Sequence, residues 1–382
     1  MRTLTLGVVA VLIVDAGPAL AQEPPAVTLE ASSTIVSFPD EVGLSGTVEP
    51  VIEGESVRIL DEEGRIRAET TPQADGTYSL RLAPLRSTTF TAQYALAMSE
   101  PVRVRVRSLV TARLRSAPLF GRALVTGSVR PRHRGGRAEV RLLRNGRVVE
   151  KRTVSLRDGM WIKTGFYIAR LGTYRARIHF NDDDHAPAWA SSSTRSTATP
   201  NLTVGSSGDP VKRLEGRLIG LGYYLPKPDR SYDEKTRDAV IAFNKVQGRA
   251  RVGSVDAATW SVLTSPRPAR ARHDWNGRHI EIDQSQQVVK VVDGGKVRWL
   301  LHTSTGANGY THDGLYRFYR QIDGYSGGRL YHPSYFHGRR AIHGWPEVPT
   351  YPASHGCARV PMWAAKWING KIRIGMRVAV YH

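Results

Sequence analysis

The sequence predicts a multidomain, mainly β protein with two β-sandwich modules, a small three-helix bundle and a C-terminal β-rich domain. Apolar and polar residues alternate over 27–107, and the same order of motifs repeats over 108–189. Helical periodicity is concentrated over 205–264, and strand patterns return over 278–382. A chain of 382 residues that is 41% hydrophobic has room for several packed cores.

The first 21 residues have the layout of a cleavable secretory signal. Arg2 precedes an apolar run from Leu6 to Val14, and Ala19-Leu20-Ala21 precedes Gln22. The run is short for a membrane span. We therefore expect an exported chain that starts at Gln22, has no transmembrane span once mature, and resides in the cell wall, the periplasm or the extracellular space.

The net charge narrows the class of partner. The chain has 54 Lys and Arg against 34 Asp and Glu, a formal charge of +20. In an exported protein this excess favours anionic wall polymers or phospholipid head groups, although an arginine-rich composition explains it equally well without a partner. Export removes the chain from the cytoplasm, so nucleic acid is not an expected partner.

Two tandem sandwich modules, 27–107 and 108–189, explain the first half of the chain. Strand-like alternation is clear over 102–106, and Glu63-Gly64 is one of the turn signals. The modules resemble immunoglobulin-type spacer modules, and we expect a structural role for them. Corresponding positions are Gly46-Thr47-Val48 and Gly127-Ser128-Val129, Pro50 and Pro131, Val57-Arg58-Ile59 and Val140-Arg141-Leu142, and Phe90 and Tyr174.

Two stretches are predicted to be linkers. Residues 190–204 are rich in Ser, Thr and Ala, include Pro200 and have no hydrophobic period. Residues 265–277 are basic and contain prolines, which favour extended backbone. We expect both segments to be solvated connections on either side of the helical bundle.

The bundle of residues 205–264 is predicted from helix start and stop signals. Asp209 is expected to be an N-cap with Pro210 at the first helical position, and Gly222 marks the end of this helix. Asp233 and Asp256 begin the second and third helices. Apolar residues at helical spacing face inward in each.

The bundle resembles the three-helix peptidoglycan-binding domain family. The resemblance rests on residues 218–223, 236–243 and 255–260. The same apolar positions also form the core of any such bundle, so the family rests on their order. What the resemblance implies is peptidoglycan as a partner, through the glycan of the wall.

The last domain begins as a β-meander. Strand patterns cover 279–283, 287–292 and 297–302, and Asp293-Gly294-Gly295 predicts a hairpin turn. A short helix is expected over 363–368, before a final strand.

Cys357 is the only cysteine, so it cannot form an internal disulfide. An exported protein with one unpaired thiol suggests catalysis. A neighbouring imidazole or oriented backbone N–H groups raise the reactivity of a thiol. Gly356 permits a close backbone approach, and we expect the N–H groups of Gly356 and Cys357 to face a developing oxyanion.

The segment Ser-His-Gly-Cys-Ala-Arg at 354–359, preceded by His343-Gly344, resembles the active-site motif of the L,D-transpeptidase catalytic family. The Ser-Thr-Gly segment at 304–306 fits as well, and the resemblance covers about 278–381. It implies that Cys357 is the acyl-accepting nucleophile and His343 the base. A backbone carbonyl near Gly344 would hold the imidazole.

The resemblance also implies supporting roles. His355 and Gly356 would help to build the oxyanion pocket, and Arg359 would orient the loop or a substrate carboxylate. Ser354 and Tyr335 are further candidates for contact with substrate. The chain departs from the family pattern at 311–316, which lacks the usual proline, and at the small Ala358, so substrate preference stays open.

The implied activity is cleavage before the terminal D-amino acid of a peptidoglycan tetrapeptide stem, with transfer of the acyl group to an amine during cell-wall biogenesis. Water as acceptor would give an L,D-carboxypeptidase, and an inactive catalytic domain would leave a wall-binding scaffold. We expect no cofactor and no metal. His332 and His337, with His343 nearby, suggest zinc only weakly, because no Asp or Glu stands at ligand spacing among them.

Overall fold

The computed structural model describes residues 24–382. The predicted fold class is confirmed. The chain is mainly β, with 45% of it in strands that form several sheets and 13% in helices. The predicted signal at 1–21 and the expected start at Gln22 lie outside the described residues.

The first sandwich has two facing sheets. One contains β1, β4, β2 and β7, and the other is built on β3, β10, β8, β5 and β6, with β9 beside β8. The strands are β1 (Ala26–Val27), β2 (Glu30–Ala31), β3 (Ile35–Ser37), β4 (Val42–Glu49), β5 (Val57–Leu60), β6 (Ile66–Thr70), β7 (Thr77–Leu82), β8 (Thr88–Tyr94), β9 (Ala97–Met98) and β10 (Val102–Arg107).

The second sandwich repeats this arrangement. One sheet has the order β11-β12-β15, and the other β14-β13-β16-β17 with β18 beside β16. The strands are β11 (Leu109–Leu114), β12 (Arg122–Arg130), β13 (Arg137–Arg144), β14 (Arg147–Ser155), β15 (Trp161–Tyr167), β16 (Thr173–Asp182), β17 (His185–Ser191) and β18 (Arg195–Ser196). The two modules meet where β10 pairs in parallel with β17.

The two sandwiches use glycine in the same way at corresponding positions. A Cβ atom on Gly46 would lie 2.0 Å from the carbonyl oxygen of Thr28, and one on Gly127 would lie 2.2 Å from that of Thr111. Both distances are too short for a real Cβ atom. Each module therefore needs glycine where the backbone of another segment approaches this closely. The repeat seen in the sequence therefore reflects the same backbone packing.

The bundle consists of α1 (Asp209–Gly220), α2 (Glu234–Val246) and α3 (Ala257–Thr264). Asp233 accepts backbone N–H bonds at the start of α2, and Asp256 does so at the start of α3. The expected N-cap at Asp209 is wrong. Gly208 occupies the cap at a φ of 100°, which favours glycine, and the Asp209 carboxylate forms an ion pair with Arg230 instead.

The two stretches predicted as linkers are packed against their neighbours. In 190–204, Leu202 is buried, and its N–H and carbonyl both pair with Val255. In 265–277, the Arg272 N–H donates to the buried carboxylate of Glu281. The Leu202 pairing joins residues distant in sequence and the Arg272 contact spans nine positions, and local composition reveals neither.

The C-terminal domain has two five-stranded sheets. One has the order β21-β20-β19-β28-β22, and the other β23-β25-β26-β27 with β24 beside β25. The elements are β19 (Arg278–Asp283), β20 (Val288–Asp293), β21 (Lys296–His302), a 3₁₀ turn (Ala307–Gly309), β22 (Gly314–Arg317), β23 (Arg320–Gln321), β24 (Tyr325–Ser326), β25 (Leu330–His337), β26 (Arg340–Trp345), β27 (Ala358–Pro361), α4 (Met362–Lys371) and β28 (Arg377–Tyr381).

The bundle packs directly on the C-terminal domain. Val288 and Leu300 of that domain belong to the same hydrophobic core as the bundle helices. The indole N–H of Trp363 donates to the Asp238 carboxylate of α2 at 2.9 Å. Among residues 24–382, no helix has the length and apolar character needed to cross a membrane.

Candidate active site

Two parallel strands bring the predicted catalytic residues to one face of a sheet. β26 pairs with β27 so that His343 lies opposite Arg359 and Ile342 opposite Ala358. Continuing this register one residue back places Cys357 opposite Ala341. His343 and Cys357 therefore lie diagonally across adjacent strands on the same face, a separation that long side chains span.

The backbone determines the orientation of the His343 imidazole. The side chain is buried, and its Nδ1 lies 2.9 Å from the carbonyl oxygen of Gly344. A carbonyl only accepts, so Nδ1 carries the proton and Nε2 keeps its lone pair. Burial lowers the pKa of His343, against the raising effect of the Gly344 carbonyl, so the imidazole is neutral at neutral pH.

Gly344 follows the histidine for a packing reason. A Cβ atom there would lie 2.7 Å from the Cβ of Ala365 and 3.1 Å from the ring of Tyr331. Helix α4 thus presses on β26 where only glycine fits. The predicted role of Gly344 is therefore performed by its carbonyl, while its missing side chain lets the helix support the strand.

Cys357 is a half-buried free thiol in a turn just before β27. Its S–H donates to the carbonyl of Arg339, with a sulfur–oxygen distance of 3.8 Å. Burial raises the pKa of the thiol, against the lowering effects of a backbone bond to Ala341 and the charges of Arg359 and Arg340. The thiol is therefore protonated at neutral pH, and its attack requires a base.

The turn that holds Cys357 depends on Gly356 and Ser354. Gly356 has a φ of +120°, and a Cβ atom there would lie 2.9 Å from the carbonyl oxygen of Tyr310. Its N–H donates to the Ser354 hydroxyl at 3.0 Å, and that hydroxyl donates to the Cys357 carbonyl at 2.6 Å. The Gly356 N–H, which was expected to face a developing oxyanion, is donated to the Ser354 hydroxyl in this structure. Ser354 is buried within the turn and does not face a substrate surface.

The Ser-Thr-Gly segment at 304–306 supports this turn from the other side. Ser304 and Arg359 exchange backbone hydrogen bonds of 3.1 and 2.9 Å. The Thr311 hydroxyl accepts from the Gly306 N–H at 2.7 Å and donates to the Gly356 carbonyl at 2.9 Å. Thr311 thus connects the two segments, a role that the sequence did not reveal.

The remaining predicted residues surround the thiol at different depths. Tyr335 lies opposite Ala341, so it shares a row across three strands with Cys357, separated from it by a small side chain. His355 is exposed. The Arg359 guanidinium lies 5.1 Å from the ring centre of Trp345 and forms no ion pair with any residue of the described range 24–382.

Two further residues near the site, Trp345 and Arg340, were not predicted from the sequence. Trp345 contacts the edge of the His343 ring, with ring centres 5.7 Å apart, and also carries the Arg359 cation on its face. Arg340 donates from Nε to the Tyr310 carbonyl at 2.6 Å, directly beside Gly356. Alternation along β26 was an available signal for Trp345, which follows His343 by two residues, but it places Arg340 on the other face, so no local pattern indicated Arg340.

The histidines considered for zinc have other partners. His332 Nδ1 lies 2.8 Å from a carboxylate oxygen of Asp323 and 3.1 Å from the backbone nitrogen of Gly324. His337 stacks on Tyr316 with ring centres 4.5 Å apart.

Family comparisons identify both C-terminal units. Residues 277–380 match the model of the L,D-transpeptidase catalytic domain, and residues 207–263 match that of the peptidoglycan binding domain. An N-acetylmuramoyl-L-alanine amidase of Bacillus licheniformis is 33% identical over 128 residues, which are 32% of this chain and 36% of the amidase. The chain thus spans about a third of the length of that curated relative.

Two solved structures are similar to part of the chain. An L,D-transpeptidase fragment from Xylanimonas cellulosilytica is 34% identical, covering 48% of this chain and 98% of that one, with a TM-score of 0.46. The catalytic domain of an Enterococcus faecium L,D-transpeptidase is 19% identical, covering 29% of this chain and 100% of that one, with a TM-score of 0.26.

Proposed function

We propose that this chain, which belongs to the L,D-transpeptidase family, uses Cys357 to exchange the acyl group of a peptidoglycan peptide stem. The observation that carries the proposal is the bond from His343 Nδ1 to the Gly344 carbonyl at 2.9 Å. It leaves Nε2 as the proton acceptor on the face that His343 shares with the thiol. Peptidoglycan is the partner implied by the two matched domains.

In the first step the Cys357 sulfur attacks the carbonyl before the terminal D-amino acid of a tetrapeptide stem. His343 Nε2 takes the thiol proton as the carbon–sulfur bond forms, because a buried, neutral thiol needs general-base assistance. When the tetrahedral intermediate collapses, the imidazolium returns this proton to the departing amine. The products are a free D-amino acid and a thioester on Cys357.

In the second step an acceptor amine attacks the thioester. His343 Nε2 takes a proton from the amine, the new amide forms, and the sulfur leaves and regains its proton. Neutral His343 suits both steps, since burial lowers its pKa and keeps Nε2 free at neutral pH. Water in place of the amine would give a tripeptide, which is the carboxypeptidase alternative.

The oxyanion of each intermediate needs donors near Cys357. Because the Gly356 N–H is bonded to Ser354, the Cys357 N–H is the remaining candidate in this turn. Exposed His355 is placed to approach a bound substrate. Arg359, held over Trp345 and free of a carboxylate partner in the described part of the chain, suits the stem carboxylate.

The proposed location is the cell wall of an exported protein. The predicted signal at 1–21 supports export, and the domains that match peptidoglycan-acting families support the site of action. The bundle would hold the catalytic domain near its substrate and raise its local concentration. The excess of positive charge suits anionic wall polymers.

The test is incubation of the purified mature protein with a disaccharide-tetrapeptide, followed by mass spectrometry of protein and products. We expect a dimer that lacks one terminal D-alanine, and a transient acyl adduct on Cys357. Cys357→Ala should give neither, and Lys366→Ala, an exposed change on α4, should give both.

Two results would change the assignment. A tripeptide without a dimer would identify water as the acceptor and a carboxypeptidase. A folded wild-type protein that gives neither adduct nor product would contradict the proposal for this donor and favour a wall-binding scaffold.

A further inference from the structure

Three side chains with metal-binding atoms converge at the junction of the two sandwiches. They are His133, from the loop after β12, Asp182, at the end of β16, and His185, at the start of β17. One ligand atom from each lies within 4.8 Å of the others. Among the described residues 24–382, this is the one group of three such side chains that meets this condition.

The two imidazoles face the two oxygens of one carboxylate. His133 Nδ1 lies 3.0 Å from Asp182 Oδ2, and His185 Nδ1 lies 2.9 Å from Asp182 Oδ1. Both histidines are buried, and the Asp182 side chain is 29% exposed. Nitrogen and oxygen ligands that share an ion at roughly 2.1 Å lie about 3 to 3.4 Å apart, so a small adjustment would accommodate a metal.

The contact made by His185 Nε2 determines which ring nitrogen of His185 carries a proton. His185 Nε2 lies 2.9 Å from the carbonyl oxygen of Leu85, so it must carry a proton. Nδ1 then faces a carboxylate oxygen, which is the position from which it would bind a metal ion. A metal-binding histidine usually donates its other N–H to such a carbonyl, which fixes the ring.

His133 presents its Nδ1 to the other oxygen of the same carboxylate. Its Nε2 is buried and has no hydrogen-bond partner, although its Nδ1 faces Asp182. The ring is held by the Phe180 ring at 4.4 Å, and its backbone N–H donates to the Gly159 carbonyl at 2.8 Å. One divalent ion placed between the two Nδ1 atoms and the carboxylate would contact all three side chains.

We propose that His133, Asp182 and His185 bind a divalent transition-metal ion, Zn²⁺ in preference. Two imidazoles and one carboxylate form a three-ligand set that zinc uses, with water in the fourth position on the exposed side of Asp182. This site is separate from Cys357, and it stands whether or not the proposed transpeptidation is correct.

The position of the site gives it a structural consequence. Leu85, whose carbonyl orients His185, belongs to the first sandwich, and the Ser87 N–H donates to the Asp184 carbonyl at 2.8 Å. Ala186, the residue after His185, pairs with Arg107 where β17 meets β10. An ion held by His185 would therefore stiffen the connection between the two modules and fix the reach of the catalytic domain.

The test uses the full mature chain with Cys357→Ala, so that the active-site thiol does not bind zinc. After treatment with EDTA, Zn²⁺ is titrated by calorimetry, and the metal retained is counted by elemental analysis. We expect one equivalent, a higher melting temperature with zinc, and binding weaker by at least about a hundredfold in Asp182→Asn and His133→Gln.

His179→Gln is the matched control, since His179 lies in the same sandwich and stacks on Trp189 outside the cluster. It should bind zinc as the parent does. Circular dichroism without metal checks that each variant folds, and His185→Gln replaces any variant that does not. The proposal is overturned if the parent retains no zinc, or if folded variants of the cluster bind it as tightly as the parent.

Discussion

The active site and the interface between the bundle and the catalytic domain each contain a buried histidine fixed by a backbone carbonyl. His343 Nδ1 lies 2.9 Å from the Gly344 carbonyl oxygen, and His302 Nε2 lies 2.8 Å from that of Val348. The difference is at the other nitrogen. His302 Nδ1 accepts from Lys245 Nζ at 2.7 Å, whereas His343 Nε2 is left for the thiol in the proposed mechanism. The same arrangement thus serves domain packing in one region and, in the proposed function, chemistry in the other.

Lys245 shows how the interface reaches the active site. It extends from α2 and also donates to the carbonyls of Gln287 at 2.8 Å and Thr303 at 2.9 Å. Thr303 precedes Ser304, which pairs with Arg359. The bundle therefore holds one end of the segment that supports the Cys357 turn, in addition to the wall contact proposed for it.

The largest expected effect comes from removing His343 Nε2, the proposed acceptor of the thiol proton. His343→Gln should lower kcat/KM for the tetrapeptide donor about a thousandfold, because glutamine cannot take the thiol proton. Its amide can still donate to the Gly344 carbonyl, so the melting temperature should change little. His302→Gln is the opposite case, with lower stability and nearly normal turnover. Equal loss of activity in both variants would contradict the distinction between the two histidines.

The parts of the site that the sequence predicted are those encoded by short, contiguous motifs. The Gly344 carbonyl accepts from His343 as the motif resemblance implied, and the catalytic roles of His343 and Cys357 stay predictions. The twofold repeat was also predictable, because Gly46 and Gly127 recur in matching local contexts.

What the sequence did not predict depends on contacts between distant residues. Thr311 bonds across 45 positions to Gly356, and Lys245 across 57 positions to His302. The Gly356 N–H was assigned to an oxyanion because nothing local shows that the Ser354 hydroxyl turns back to accept it. Packing of 190–204 was missed for the same reason, since its partner Val255 lies in another domain.

The second expected effect tests the backbone of the active-site turn. Gly356→Ala should lower kcat/KM about a hundredfold, because a φ of +120° is strained for alanine and its Cβ would lie 2.9 Å from the Tyr310 carbonyl oxygen. Relief of either strain moves Cys357. Gly370→Ala in α4 is the control, since a Cβ there meets nothing within 4 Å and should leave turnover unchanged. Normal activity in Gly356→Ala would show that the turn tolerates movement.

The third expected effect tests the interface. Lys245→Met should lower the free energy of unfolding by about 2 kcal/mol, since it leaves three buried acceptors without a donor. Urea denaturation measures this loss of stability, with Lys366→Met, a change at an exposed residue of α4, as the control. Turnover should fall only a few-fold, because Lys245 supports the 303–306 segment without touching the reacting atoms. A stable variant would show that the interface relies on apolar packing alone.

The smallest expected effect is a pH dependence that belongs to the interface alone. Burial lowers the pKa of Lys245 to about 6, with Arg251 lowering it further and Asp238 opposing them, while burial and the Lys245 charge lower that of His302 to about 3. Between about pH 6 and the usual lysine range, the unfolded chain binds the extra proton, so folding becomes more favourable as pH rises.

The free energy of unfolding rises by at most about 1.4 kcal/mol per pH unit, and the three acceptors around Lys245 Nζ reduce this increase. The stability difference between the parent and Lys245→Met should therefore widen by about 1 kcal/mol for each pH unit between pH 7 and pH 9, as measured by urea denaturation. His343→Gln should leave this slope unchanged, because His343 lies outside the Lys245 cluster. A difference that is constant with pH would mean that Lys245 stays charged in the folded protein, so that its three acceptors outweigh its burial.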